Sequence, residues 1–508
     1  MDDRTYIIYK ELEKPTICRF LYIVKGKFPR PSCVSIFVCI ALLTILLLFP
    51  FLQKESPKNV HIEHCKDHCS FTLVESIPEG INFNSTLHSN LTYDVWKKLI
   101  DDSKKNICIA SSYWTLRSSN VFNDNSSWEG QSIFDSLYDA SLNRAIDLRI
   151  VQNYARETPD TSILAQAANA KVRKLDFRKF SNYGILHTKL WIFDDTHFYI
   201  GSANMDWRSL TQVKEVGVLA RDCACLARDV RKIFESYWLV SASRELPLAT
   251  NNQENLLTRN QATILPPWPD NMTASYNVTQ PAVISSIDGT MYNVYISSSP
   301  PILNGKDRSN DIDGILDVIN NAQKYVHISV MEYMPGTLYL PSFQYWPIID
   351  NALREAALNR GIKIRMLISW WEHSNPKTLH FLKSLYELTF TGLADIQIRI
   401  LVIPSFNDKQ KKIPYARVNH NKIMVTDSAA YIGTSNWSAD YFLWTGGVGI
   451  IIKPLINGTT QNYENLHVTD DFRSQLEQLF DRDWSSDLTI DLYNFTIPKN
   501  FAFSSNNF

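Results

Sequence analysis

Four residues of this chain have the types and spacing for chemistry at phosphorus, and they come in two pairs: His187 with Lys189, and His420 with Lys422. Each pair opens a copy of one pattern, 233 residues apart (420 − 187). The first copy runs His187-Thr-Lys189, Asp194, then Gly201-Ser-Ala-Asn204; the second runs His420-Asn-Lys422, Asp427, then Gly433-Thr-Ser-Asn436. A phosphodiester repels nucleophiles, so cleaving it takes cations on the nonbridging oxygens, an in-line nucleophile and an acid for the leaving oxygen. His and Lys two residues apart point from one face of a strand into the same pocket. Lys189 and Lys422, with Asn204 and Asn436, would cradle the phosphate. One histidine would attack phosphorus to form a phosphohistidine while the other protonates the leaving alcohol and then activates water. This set requires no metal and no cofactor, and no Asp/Glu/His cluster suggests one. Asp194 and Asp427 complete the motifs but lie an odd number of residues from their histidines, so on a strand they face away and read as structural acceptors. A lone His-x-Lys is common on surface strands; two full copies are not.

The positioning elements repeat as well. Leu142-Asn-Arg-Ala-Ile-Asp-Leu-Arg-Ile150 matches Leu358-Asn-Arg-Gly-Ile-Lys-Ile-Arg-Met366, each after a helical pattern. Asn106–Ala110 and Tyr325–Ser329 alternate like strands, and Leu190–Phe193 and Ile423–Thr426 carry the motif histidines at their starts. Strand, helix, strand and motif strand thus occur twice, which predicts α/β sheets with helical cover and a two-fold duplication that brings equivalent strand ends to a central cleft. Residues 245–285 are rich in Pro, Asn, Thr and Gln and suit an exposed connection.

At 508 residues, 45% hydrophobic and 20% charged, the chain can bury sizeable cores. A net charge of -1 lacks the broad basic excess of a protein that coats duplex DNA, so any nucleic-acid contact should be a focused groove. Val34–Leu52 is a 19-residue uncharged stretch, long enough to span a bilayer, with Arg19, Lys25, Lys27 and Arg30 before it. The positive-inside rule then predicts a type II membrane protein with everything beyond residue 52 exported. Eight N-x-Ser/Thr sequons all lie beyond the span: Asn84, Asn90, Asn125, Asn271, Asn277, Asn457 and Asn494 read as glycan acceptors, and Asn436, inside the second motif, reads as bare. Of the exported cysteines, Cys65 and Cys69 with Cys223 and Cys225 are expected to form two bridges tying the stalk to the first half, rather than a zinc site. Cys108 lies in an apolar strand pattern and reads as a buried thiol, although an odd cysteine permits a covalent homodimer.

The motifs, His-x-Lys-x4-Asp with a trailing Gly-Ser-x-Asn, resemble the phospholipase D superfamily over residues about 65 to 485. His187 to Gly217, Val418 to Phe442, Leu73 to Gly80 and Val330 to Tyr333 are similar to phospholipase D members three and four, type II endolysosomal glycoproteins. The resemblance implies a duplicated phospholipase D fold, two α/β/α sandwich halves related by a pseudo-two-fold axis around one active site. It further implies metal-independent 5′-to-3′ exonuclease activity on single-stranded DNA and RNA that limits nucleic-acid sensing, with synthesis of bis(monoacylglycero)phosphate from phospholipid as the alternative. A catalytically silent lumenal glycoprotein is a further reading. The implied route is from the endoplasmic reticulum and Golgi to the endosome and lysosome lumen. On this reading the chain divides into a cytosolic tail (1–33), a membrane anchor (34–52), a stalk (53–90), half one (91–245), a linker (246–285), half two (286–490) and a C-terminal tail (491–508). The superfamily places an acidic residue downstream of each motif to orient its histidine. Glu215 fits that role for His187, whereas the second half offers Trp444-Thr-Gly-Gly447; by this logic His187 is the nucleophile and His420 the acid/base. Aromatic residues near the motifs (Tyr113, Trp114, Trp191, Trp207, Tyr333, Trp370, Trp371, Trp437, Tyr441, Phe442, Trp444) could stack unpaired bases, although most read as packing. Glu332 aligns by repeat with the Ser112 region, at a strand end facing the cleft.

Overall fold

In the computed structural model the repeated sequence patterns become two sheets of the same layout. Described residues are 65, 67–83, 89–154, 158–181, 183–242, 268–287, 289–455 and 471–497; the segments read as cytosolic tail and membrane anchor lie outside them, as do Asn84 and Asn457. No helix among the described residues is long and apolar enough to cross a membrane.

Half one is built from β1 (His68–Ser76), α1 (Thr92–Asp102), β2 (Asn106–Ser111), α2 (Trp128–Leu142), β3 (Asp147–Asn153), β4 (Lys171–Leu175), β5 (Leu190–Phe193), β6 (His197–Gly201), α3 (Trp207–Thr211), β7 (Glu215–Arg221) and α4 (Ala224–Ala242). Its strand order is β1-β7-β6-β5-β2-β3-β4. Half two supplies β8 (Ala282–Ser286), β9 (Met291–Ser299), α5 (Asp311–Asn321), β10 (Tyr325–Val330), α6 (Ile348–Arg360), β11 (Lys363–Ser369), β12 (Ile396–Leu401), β13 (Lys422–Thr426), β14 (Ala430–Gly433), α7 (Ala439–Leu443), β15 (Gly447–Pro454) and α8 (Phe472–Trp484). Its order, β8-β9-β15-β14-β13-β10-β11-β12, repeats that of half one with β8 added at one edge and the short antiparallel strand Thr489–Asp491 at the other. His68 and Cys69 pair with Ser285 and Ser286, so β1 and β8 join the two sheets. β1 begins inside the stretch read as stalk and β8 at the end of the stretch read as linker.

Burial on both faces explains the apolar strands. Ile107 and Ile109 of β2 pack with α1 and α2 in one core, while Cys108 and Ala110 face the other core, which includes Leu226, Val230 and Phe234 of α4. Helices cover both faces of these mixed sheets, whose backbone runs parallel only along β2-β3-β4 and β10-β11-β12, and strands buried on both faces carry such near-continuous hydrophobic runs. The repeated Leu-Asn-Arg segment has a structural reason too. Arg144 donates to the carbonyls of Ile100, Asp101 and Ser103 at the end of α1, and Arg360 to those of Ile319, Asn320 and Ala322 at the end of α5. Each arginine satisfies carbonyls that a helix terminus leaves unpaired. Disulfides Cys65–Cys225 and Cys69–Cys223 fasten the start of β1 to α4. Cys108 is free and fully buried, its thiol pushed up to about 12 by burial, so it is not placed to bridge to a second copy.

Candidate active site

Each motif histidine lies just upstream of its strand, His187 three residues before β5 and His420 two before β13, and backbone pairing across the halves sets both. His187 N donates to Gly446 O (2.9 Å), and His420 N donates to Lys214 O (2.8 Å). The isolated parallel bridges Leu186–Gly446 and Lys214–Asn419 are the two arms of this exchange. Each histidine therefore lies against the start of the other half's return strand, β15 for His187 and β7 for His420.

That exchange corrects the expected partner of Glu215. Its Oε2 lies 2.8 Å from Nδ1 of His420, not His187, because β7 starts beside residue 419 of the opposite half. Burial would raise the Glu215 carboxyl, but His420 and Lys422 outweigh it and hold it below the ordinary range. Ser209 Oγ donates to Glu215 Oε1 (2.8 Å) and accepts from Asn204 N (3.2 Å), tying the carboxylate to the phosphate-cradle asparagine. At His187 the equivalent position is Gly447, where a Cβ would sit 2.2 Å from Ser435 Oγ and 2.9 Å from Ser299 Oγ, so no side chain fits. The backbone substitutes: His187 Nδ1 is 3.0 Å from the Thr434 carbonyl, which can only accept, so Nδ1 carries the proton and Nε2 keeps its lone pair. Neither Ser209 nor the Thr434 carbonyl was readable from a motif; Ser209's only signal is its place just after Gly-Ser-x-Asn.

Lys189 Nζ lies 3.1 Å from each ring nitrogen of His187 and donates to the His187 carbonyl (2.5 Å), and Lys422 Nζ donates to the His420 carbonyl (2.6 Å). Burial and then the two lysines and His420 pull His187 well below the imidazole range. His420 is lowered by burial and by Lys422 against the pull of Glu215. Lys422 itself is pushed down to about 7 by burial, with Glu215 and Glu332 opposing. Two buried lysines, with Glu215 and Glu332 the carboxylates that act on Lys422, form a pocket suited to a negative group.

A wall of half two completes the pocket. Asn436 Nδ2 donates to Tyr441 Oη (3.1 Å) and reaches Glu332 Oε2 (3.5 Å), which also accepts from Tyr339 Oη (3.3 Å). Tyr441 meets the His187 ring edge to face at 5.0 Å between centroids. Burial pushes the Glu332 carboxyl up to about 7. Of the remaining aromatic candidates, Trp114, Trp191, Trp207, Tyr333, Trp437 and Phe442 are core residues, whereas Trp371 and Trp444 stay partly exposed.

The motif aspartates point elsewhere. Asp194 accepts from the backbone N–H groups of Lys104, Lys105 and Asn106, and Asp427 from those of Gln323, Lys324 and Tyr325, at the turns that start β2 and β10. They brace the strands beside the motif strands and do not enter the pocket. Among the sequons, Asn90, Asn125, Asn271 and Asn494 are exposed, Asn277 is partly exposed, and Asn436 is buried.

The family profile described as "PLD3/4, PLD-like domain" matches residues 84–406. The chain belongs to the PLD3/4 family. It is 41% identical over 472 residues to "5'-3' exonuclease PLD3" of Xenopus laevis, covering 90% of this chain and 88% of that protein. Identity to the Homo sapiens protein of the same name is 39% over 460 residues, covering 89% and 87%. "5'-3' exonuclease PLD4" of Mus musculus is 36% identical over 436 residues, covering 85% and 81%. Membership in the PLD3/4 family fixes the phospholipase D fold and the phosphodiesterase class of the enzyme.

Proposed function

We propose that this chain is a metal-independent 5′-to-3′ exonuclease of single-stranded DNA and RNA, acting through a phosphohistidine on His187. The observation that carries the reading is the exchange of strand starts, which sets two unlike histidines beside the motif lysines and asparagines. His187 faces a neutral carbonyl, and burial with the nearby lysines disfavours its protonation, as a nucleophile needs. His420 faces a carboxylate that stabilises its imidazolium, as an acid/base group needs. Nε2 of His187 attacks phosphorus, the ester oxygen leaves with a proton from His420, and a P–N bond replaces a P–O bond. Water, losing its proton to His420, then attacks phosphorus and the P–N bond breaks. Lys189, Lys422, Asn204 and Asn436 hold the nonbridging oxygens throughout.

The substrate follows the names of the relatives, and the lumenal setting follows the residue 34–52 span, the exposed sequons and the two disulfides. An acidic endolysosomal lumen suits a nucleophile with a depressed pKa, and clearing nucleic acid there would limit its sensing. The test is full-length chain in detergent with a single-stranded oligonucleotide at pH 5 and EDTA. Stepwise shortening from the 5′ end, lost in His187→Ala and His420→Ala, is the expected result. Folded protein that leaves the strand intact would overturn the reading and favour phospholipid hydrolysis or headgroup exchange, assayed on vesicles.

A further inference from the structure

Beside His420 lies an aromatic cluster that the catalytic steps do not use. Trp371, His373 and Tyr415 form it: the His373 and Tyr415 rings stack at 4.7 Å and 27°, Trp371 meets His373 edge to face at 4.6 Å, and Trp371 and Tyr415 are 6.2 Å apart. Tyr415 is 60% exposed although it is a large ring surrounded by others, so the cluster is not closed off as core. Both segments that carry the cluster lead to the start of the His420 strand. Ser369, two residues before Trp371, accepts through Oγ from Asn419 N (3.2 Å), the residue preceding His420, and Tyr415 lies five residues before His420.

The loop presenting Tyr415 is held in a conformation that side chains rarely adopt. Tyr415 and Arg417 have φ of 54° and 55°, left-handed values that persist only where surroundings over-determine them. Those surroundings come from both halves. Arg208 of α3 donates to the Pro414 carbonyl, Arg417 N donates to Gln212 O (3.0 Å), and the Arg417 guanidinium donates to the carbonyls of Pro404 and Glu79. Ile413 and Ala416 pack on Trp207. The same loop carries Lys409, Lys411 and Lys412; the first pairs with Asp124 and the second with Asp408. Lys412 is exposed, and the one carboxylate bonded within the cluster is Glu372, 3.0 Å from His373. Exposed, rigidly held aromatic faces flanked by cations are the combination that binds an unpaired strand, the rings taking bases and the cations its phosphates.

We propose that Trp371, His373 and Tyr415 form a stacking subsite for an unpaired nucleobase of the strand whose phosphate lies at His187 and His420. This rests on the nuclease reading above and adds where the strand runs. The test compares a single-stranded oligonucleotide with the same strand made abasic near its 5′ end, using full-length wild type, Trp371→Ala, Tyr415→Ala and Trp371→Phe. Wild type should have a lower KM for the base-bearing strand. Both alanine variants should raise that KM by roughly 5- to 150-fold with a smaller change in kcat, leave the abasic KM nearly unmoved, and so erase the discrimination. Trp371→Phe, which keeps a stacking face, should restore most of it. Tyr415→Ala changes an exposed ring, so it reports even where Trp371→Ala does not fold. Discrimination unchanged in Tyr415→Ala, or an equal loss on both strands, would overturn the subsite. Failure of wild type to degrade either strand would overturn the nuclease reading instead.

Discussion

Replacing Glu215 with Gln tests the crossed arrangement most directly. The substitution keeps the size of a fully buried side chain but removes the charge that sits 2.8 Å from Nδ1 of His420. With charge centres about 4 Å apart and an effective dielectric near 20, the lost attraction to an imidazolium is about 4 kcal/mol, or roughly three orders of magnitude in rate. His420 is already lowered by burial and Lys422 despite Glu215, so without the carboxylate its proton is held less tightly still and the alkaline limb of the oligonucleotide pH–rate profile, where the general acid loses its proton, moves lower. Because His420 serves as acid and base, the variant should fail mainly with poor leaving groups. A p-nitrophenyl phosphodiester needs no acid, so Glu215→Gln and His420→Ala should both still phosphorylate His187 with it and accumulate the phosphoenzyme, visible as a burst of p-nitrophenolate. His187→Ala should give none. Oligonucleotide kcat in Glu215→Gln within tenfold of wild type, or loss of the burst in Glu215→Gln but not in His420→Ala, would refute the pairing and return Glu215 to His187.

Further perturbations follow from the same geometry. Rising pH ionises Glu332 and discharges Lys422, both near 7, so each change makes the phosphate pocket less positive; kcat/KM should fall through about pH 7, and Glu332→Gln should make that fall shallower. Gly447→Ala would drive a methyl into Ser435 and shift the Thr434 carbonyl from His187, lowering kcat on the order of 10²-fold without loss of fold by circular dichroism. The buried cluster of Arg482, Lys214, Glu75 and Asp483 makes Arg482→Met costly by about 3–5 kcal/mol, since two carboxylates would then face one lysine; a melting temperature unchanged from wild type would contradict this. Glu75 is held down to about 2 in the fold, against burial, by Arg482 and Lys214. Its contribution is therefore full above about 4.5 and lost only as pH falls toward 2, so melting temperature should hold at pH 5 and drop below pH 4. The disulfides are nested: with one intact, the other closes a loop of only 8 residues, 65–69 and 223–225. Losing either pair alone should cost about 2 kcal/mol and losing both about 7, measured by thermal melts of the serine variants.

The sequence by itself determined the duplication, the α/β class and the catalytic residue types, because strand alternation, helix period and motif spacing are local properties that survive in one dimension. Asp194 and Asp427 were legible as structural acceptors, but both lie one residue past their strands and bind turn amides, so strand parity is not what turns them from the pocket. Adjacent cysteines marked the segments that are joined, but not that Cys65 bonds Cys225 and Cys69 bonds Cys223. Only the tertiary structure decided which histidine Glu215 serves. In sequence Glu215 is 28 residues from His187 and 205 from His420, so proximity along the chain favours the wrong partner. Backbone pairing across the pseudo-two-fold places Lys214 on Asn419 and Gly446 on Leu186. Such pairing depends on how two separately folded sheets dock. That docking energy is spread over a core shared by both halves, and no short window of residues records it.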